Sequence, residues 1–343
     1  MIEREYYAAS VKAGSTDRIP FMPTIFEHAA FLIGKTPGAA SRRVSLLSKA
    51  HIEAYRLYHP AVVTVGIDVY NIEAEALGCC VQFYDSDSDS IPGIISHPFT
   101  LTDDFERIIF SPDLGRINTV LEAASEVKRV IGDETNVSVG ICGPFSIMIE
   151  LLGFETAIEA FYDDDERVGR LLEALLRFQE CYCDEIATRG LGVTVFESWA
   201  SPPLISPGMY REFAFPYERK LFTHMERLGI PARPLVIGGD TRDIIDSILE
   251  TGTTLLVSDY NTPLPFYVQK AQAKNVSIRA NIDPKLVRSG SWEQIRDRIA
   301  EIRKQAEIYP KLIAGTGVIP YDTPPENLLS VKQMLDTEDL HIT

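Results

Sequence analysis

The sequence predicts a single α/β domain, a closed (β/α)8 barrel of the TIM type. Three observations carry that expectation. Eight short apolar runs recur along the chain, and each reads as a strand buried on both faces. Between them lie segments with apolar residues at helical spacing, and such an alternation over this length implies a parallel sheet. No glycine- or serine-rich linker interrupts the 343 residues, so 1–343 is expected to form one domain. The alternative, a doubly wound open sheet, lacks a G-x-G-x-x-G fingerprint after its first strand.

In order, 3–14 reads as a short helix, 17–20 as a turn and 21–26 as the first strand, with Glu27-His28 at its end. Residues 41–58 are helical, and 61–67 is the second strand, with Asp68 at its carboxyl end. The region 69–110 is less regular. Runs at 81–84 and 94–96 flank Asp85-Ser-Asp-Ser-Asp-Ser90. That stretch lacks the spaced glycine and closing glutamate of a calcium loop, so it reads as a solvated hairpin tip. A helix over 114–131 leads to the strand 137–141 and then Cys142-Gly-Pro-Phe-Ser146. Helices follow over 147–152 and 156–189, the second with the acidic run Asp163-Asp-Asp-Glu166 near its start, which suits the helix dipole. The strand 193–196 presents Glu197 where it ends. Ser206-Pro207 then opens a helix over 207–228, with Ser as N-cap and Pro at the first helical position. Strands 234–237, 254–257, 276–280 and 311–314 alternate with helices over 242–251, 266–273, 291–307 and 324–335.

Composition narrows the function. A net charge of −16 disfavours nucleic acid and anionic membrane as partners, since both need a basic surface. No run of about 18 apolar residues implies a membrane span, and the charged N-terminus does not read as a signal peptide. Five cysteines, an odd number, give no disulfide framework and suit a reducing cytoplasm. Cys181 and Cys183 lie two apart in a helical pattern and point to different faces, a poor metal clamp.

In a barrel all eight carboxyl strand ends face one mouth. Those ends supply His28, Asp68, Cys142, Glu197, Asp240, Asp259, Asn281 with Asp283, and Thr316. Like charges crowded there would raise some carboxyl pKa values, which suits general acid–base work. Glu197, Asp68 and His28 are therefore the expected catalytic or ligand groups. Asp240, Asp259, Tyr260, Asn281, Trp199 and Phe145 are candidate substrate contacts. Asp240, Asp259 and Asp283 read equally well as caps of the helices that follow them. No H-E-x-x-H, C-x-x-C, G-x-S-x-G or P-loop pattern occurs.

Phe196-Glu-Ser-Trp-Ala-Ser201, Ser206-Pro207 with Phe213 and Pro216-Tyr217, Glu73-Ala-Glu-Ala-Leu-Gly78, Gly143-Pro-Phe-Ser146, Asn281-Ile-Asp-Pro284 and the segment 319–328 together resemble the uroporphyrinogen decarboxylase superfamily. The resemblance runs from about residue 3 to 336 and implies the same barrel. True uroporphyrinogen decarboxylases carry an arginine-rich segment after the first strand, and here Phe26-Glu-His-Ala-Ala-Phe31 has none. Asp68 does match that branch's central aspartate. The corrinoid-dependent methyltransferase branch is the nearer likeness. It implies a methyl group moved between a small methylated compound and a cobalamin held by a separate carrier protein, since no D-x-H-x-x-G cobalamin loop appears. Many members of that branch hold zinc at three positions that fall here on Val236, Gly238 and Gly317, so the standard zinc site is not expected. A harder metal site of carboxylate and imidazole, or metal-free acid–base catalysis, both remain open. A decarboxylase and a diverged binding barrel are the alternatives.

Overall fold

The computed structural model describes residues 2–12, 18–84, 89–163 and 165–337. The hairpin tip at 85–88, and residue 164 of the acidic run, lie outside them. The strands are β1 (Phe21–Thr24), β2 (Val62–Val65), β3 (Val81–Gln82), β4 (Gly93–Ile94), β5 (Asn136–Cys142), β6 (Gly192–Phe196), β7 (Leu235–Val236), β8 (Leu255–Ser258), β9 (Ser277–Ile282) and β10 (Leu312–Val318). Eight of them form two four-stranded parallel sheets, in the orders β1-β10-β9-β8 and β2-β5-β6-β7, while β3 and β4 pair as a small antiparallel hairpin. The two sheets touch at both edges. Ala61 N–H donates to the Phe21 carbonyl at 2.7 Å beside β1 and β2. At the other seam Pro234 bridges Leu255 in parallel, and Thr254 N–H donates to the Arg233 carbonyl at 3.1 Å.

Strand residues alternate between two environments, as the pleat requires. One set packs against the helices in a single large core. The other set points away from them. Met22, Val62, Leu255, Val257 and Ile313 form a small cluster joined by Tyr7 from the N-terminal helix Glu3–Val11. Nearer the carboxyl ends, Phe26, Val69 and Phe196 form another. Hydroxyls lie on the strands between: Thr64 meets Ser138 at 2.9 Å and Ser138 meets Thr194 at 3.2 Å, so each is satisfied by its neighbour on the next strand.

Several helices differ from the expected spans. The expected 156–189 helix is helical over Phe154–Asp163 and Asp165–Thr188 among the described residues, so it starts two residues earlier than expected. The expected 207–228 helix begins as predicted, with Ser206 Oγ accepting from Met209 N–H at 3.2 Å. It then widens into a π turn over Tyr210–Ala214 before the helix Phe215–Arg227. Pro216 explains the break, because it has no N–H for the regular helical ladder. Strand β10 runs past the expected end at 314 to Val318, through Gly315 and Gly317, whose low strand propensity hid it. Among the described residues, no helix is long and apolar enough to cross a membrane.

Candidate active site at the carboxyl strand ends

A cavity of about 460 Å³ lies where the strands end. It is lined from β1 by Thr24 and Phe26, from beyond β2 by Ile67 and Asp68, and from β6 and β7 by Phe196 and Val236. Strands β8, β9 and β10 contribute Val257, Arg279, Asn281 and Gly317. Asp68, Asp259, Tyr260 and Asn281 thus converge as the sequence suggested. Glu197, His28, Asp240, Trp199 and Phe145 do not line it, and each has a physical reason for lying elsewhere.

Glu197 is fully buried behind the sheet, not at the mouth. Its Oε1 accepts the Ser146 N–H at 2.6 Å, at the start of the helix Pro144–Leu152. Gly143 makes room for it: a Cβ there would fall 1.5 Å from Glu197 Oε2. Burial pushes the carboxyl up to about 7, against the pull of the helix N–H groups. The same layer holds two more buried acids. Glu73 accepts from the Cys142 N–H and the Gln179 amide, and Glu218 accepts from the Tyr210 hydroxyl. His28 is also fully buried, with Nδ1 3.0 Å from the Tyr321 carbonyl and Nε2 2.8 Å from the Tyr58 hydroxyl. Burial lowers its pKa. In the neutral ring Nδ1–H must therefore donate to the carbonyl, while Nε2 accepts from the tyrosine. That is a clamp, not a cavity group. Asp240 caps and pairs with Arg242 on the surface. Trp199 donates to Glu150 at 2.7 Å and stacks on Phe154, and Phe145 stacks on Phe161 inside the core.

The cavity residues are held in definite ways. Asp68 takes a two-pronged bond from Arg116, at 2.9 and 2.7 Å, and a third from the Asn71 amide at 2.9 Å. Arg116 also bonds Glu75 at 2.5 Å and lies over the Phe83 ring. Asp68 is thus a neutralised wall. Asp259 accepts the Gly239 and Tyr260 N–H groups, both at 2.7 Å. Tyr70 donates to Ser198 Oγ at 2.5 Å and accepts the Ser198 N–H.

Glu27 is the carboxyl that the sequence reading passed over. It lines the cavity from the first turn of the helix Glu27–Leu32. It is 7% exposed, and its Oε2 has no partner among the described residues. Burial raises its pKa to about 7, opposed only by a bond to its own backbone. Consecutive helical residues point about 100° apart, so Glu27 meets the cavity and His28 the Tyr58 layer. The rule that singled out Glu197, a carboxylate directly after a buried strand, applies equally to Glu27. Arg116 and Arg279 were missed for other reasons. Arg116 is 48 residues from Asp68 in the chain, and Arg279 lies inside a strand rather than at its carboxyl end.

The three positions Val236, Gly238 and Gly317 all line this cavity. They converge but offer no imidazole or thiolate, and no cysteine lines the cavity. Among the described residues no cluster of three or more His, Cys, Asp or Glu could hold a metal ion. These residues do not fit a thiolate zinc site, nor the harder carboxylate–imidazole site.

Parallel strands whose carboxyl ends enclose a cavity define an α/β protein with a candidate small-molecule site at the address where such folds place one. The chain belongs to the uroporphyrinogen decarboxylase (URO-D) family, whose model matches residues 3–337. It is 26% identical over 259 residues to the methylcobamide:CoM methyltransferase MtbA of Methanosarcina mazei, covering 75% of this chain and 72% of that one. It is 28% identical over 225 residues to the uroporphyrinogen decarboxylase of Koribacter versatilis, covering 61% and 60%. Among solved structures, a methyltransferase from Methanosarcina mazei superposes with a TM-score of 0.84 at 17% identity over 98% of both chains, a likeness of fold.

Proposed function

We propose that the chain moves a methyl group between a small methylated compound and a corrinoid carried on a separate protein, on a (β/α)8 barrel formed where the two sheets meet at both seams. The observation that carries this reading is Glu27. A buried carboxyl with its pKa raised to about 7 lines the cavity. Such a group donates a proton to a heteroatom as its methyl leaves, or removes one in the reverse direction. The relatives' names supply the chemistry: MtbA is a methylcobamide:CoM methyltransferase. The corrinoid supplies the centre that accepts or gives the methyl when its carrier docks.

The chain's own residues do the rest. Tyr260, Asp259 and Asn281 line the same cavity and orient the substrate. Asp68 holds its wall rigid through Arg116. Glu197 and His28 act at a distance, fixing a helix start and the Tyr58 layer. Porphyrinogen decarboxylation suits this cavity less. Eight substrate carboxylates would meet Asp259, with Arg279 the only cationic side chain lining the cavity among the described residues.

The test mixes the protein with reduced cobalamin, with and without the natural carrier protein, and with methyl ethers or methylamines. The methylcobalamin absorbance should rise with at least one donor. No transfer with any donor or acceptor, carrier supplied, contradicts the proposal. Formation of coproporphyrinogen from uroporphyrinogen would replace it with decarboxylation.

A further inference from the structure

We propose that the cavity recognises a small carboxylate, gripped by Arg279 on the cavity wall, so that the substrate is a methylated acid with an apolar body. The carboxylate grip stands on the cavity alone. The methyl group rests on the function proposed above.

Arg279 points from β9 to the face that carries Asn281, and it is 4% exposed. The sequence makes room for it. Gly315, in register with Asn281 on the next strand, leaves the space: a Cβ there would fall 2.7 Å from the Arg279 Cγ and 2.9 Å from the Asn281 Oδ1. The guanidinium then spends one of its five donors, Nε–H, on the neutral Asn281 Oδ1 at 3.1 Å. Among the described residues, Nη1 and Nη2 have no hydrogen-bond partner and no carboxylate lies within salt-bridge distance. Asp259 and Tyr7 favour the charge from a distance, and the Asp259 oxygens accept from Gly239 and Tyr260. Burial lowers the guanidinium pKa to about 10, still charged at neutral pH.

A buried, unpaired charge is costly unless something pairs with it. Contrast Arg116, which is saturated by Asp68 and Glu75. The free edge of Arg279 is a planar two-pronged donor, the match for a carboxylate. The remaining walls, Phe26, Ile67, Val69, Phe196, Val236 and Val257, are apolar and would cover the body of such a molecule.

The experiment titrates the full chain calorimetrically with benzoate, 4-methoxybenzoate and acetate, with 4-methoxybenzamide, and with inorganic phosphate. At least one carboxylate should bind saturably. The amide should bind at least tenfold more weakly than its acid, and phosphate more weakly than the best carboxylate. Arg279→Gln should cost the acid at least tenfold in affinity and leave the amide unchanged, and Arg279→Lys should fall between. Equal binding of acid and amide, binding of phosphate alone, or no binding of any carboxylate overturns the proposal. The acid–amide comparison needs no variant, so it stands even where Arg279→Gln fails to fold. Acid binding without methyl transfer would leave this inference in place and remove the methyltransferase reading. Methyl transfer from a neutral donor, indifferent to Arg279→Gln, would do the reverse.

Discussion

Replacing Glu197 with Gln should change how stability depends on pH while leaving turnover nearly intact. The carboxyl is fully buried, and its pKa is raised from 4.5 to about 7, chiefly by desolvation. Between those values the folded chain keeps a proton that the unfolded chain has released. Stability therefore falls as pH rises from about 4.5 to about 7, then levels off. The difference, about 7 minus 4.5, corresponds to roughly 3 kcal/mol at about 1.4 kcal/mol per unit. The neighbouring acid Glu218 shares in it, so the expected figure is about 1–3 kcal/mol. Gln is neutral throughout, and its carbonyl keeps the bond to the Ser146 N–H. Its new N–H₂ would stand where Oε2 has no partner, at a cost of about 1–3 kcal/mol that does not vary with pH. The useful quantity is thus the difference between pH 5 and pH 8 in urea unfolding. Wild type should lose about 1–3 kcal/mol more than Glu197→Gln across that interval. Identical losses would refute the reasoning and mean that Glu197 ionises at an ordinary carboxylate pH.

Asp68→Asn removes the charge that neutralises Arg116 and should cost about 3–5 kcal/mol in denaturant unfolding, because a guanidinium stays buried with Glu75 alone. Gly143→Ala puts a Cβ 1.5 Å from Glu197 Oε2, so it should lose more than ~2 kcal/mol of stability, read as a lower melting temperature. Elemental analysis of the purified chain should find zinc well below one per chain, and added zinc should not change turnover, since Val236, Gly238 and Gly317 carry no ligand atoms.

The fold was legible because buried parallel strands write themselves as apolar runs. All eight such runs were found, and their ends pointed to a common cavity. What could not be read was which way each end residue faces. Strand side chains alternate, and after a strand ends the chain turns, so Asp68 enters the cavity while Glu197 turns back to a helix start. Glu27 and His28 differ by one helical step and by their whole surroundings. The arginines were hidden by distance in the chain. Nothing local in residues 26–31 says that Arg116 will reach Asp68 or that Arg279 will cross Gly315.

The most direct test of the account is the pH profile of kcat/KM for methyl release in wild type, Glu27→Gln and Glu197→Gln. The wild-type rate should fall as pH rises through about 7, where Glu27 loses its proton. Glu27→Gln should lose about 10²–10⁴-fold with that inflection gone, and the folded Glu197→Gln chain should keep near-wild-type turnover. Full activity in Glu27→Gln, or a comparable collapse confined to Glu197→Gln, would contradict the account.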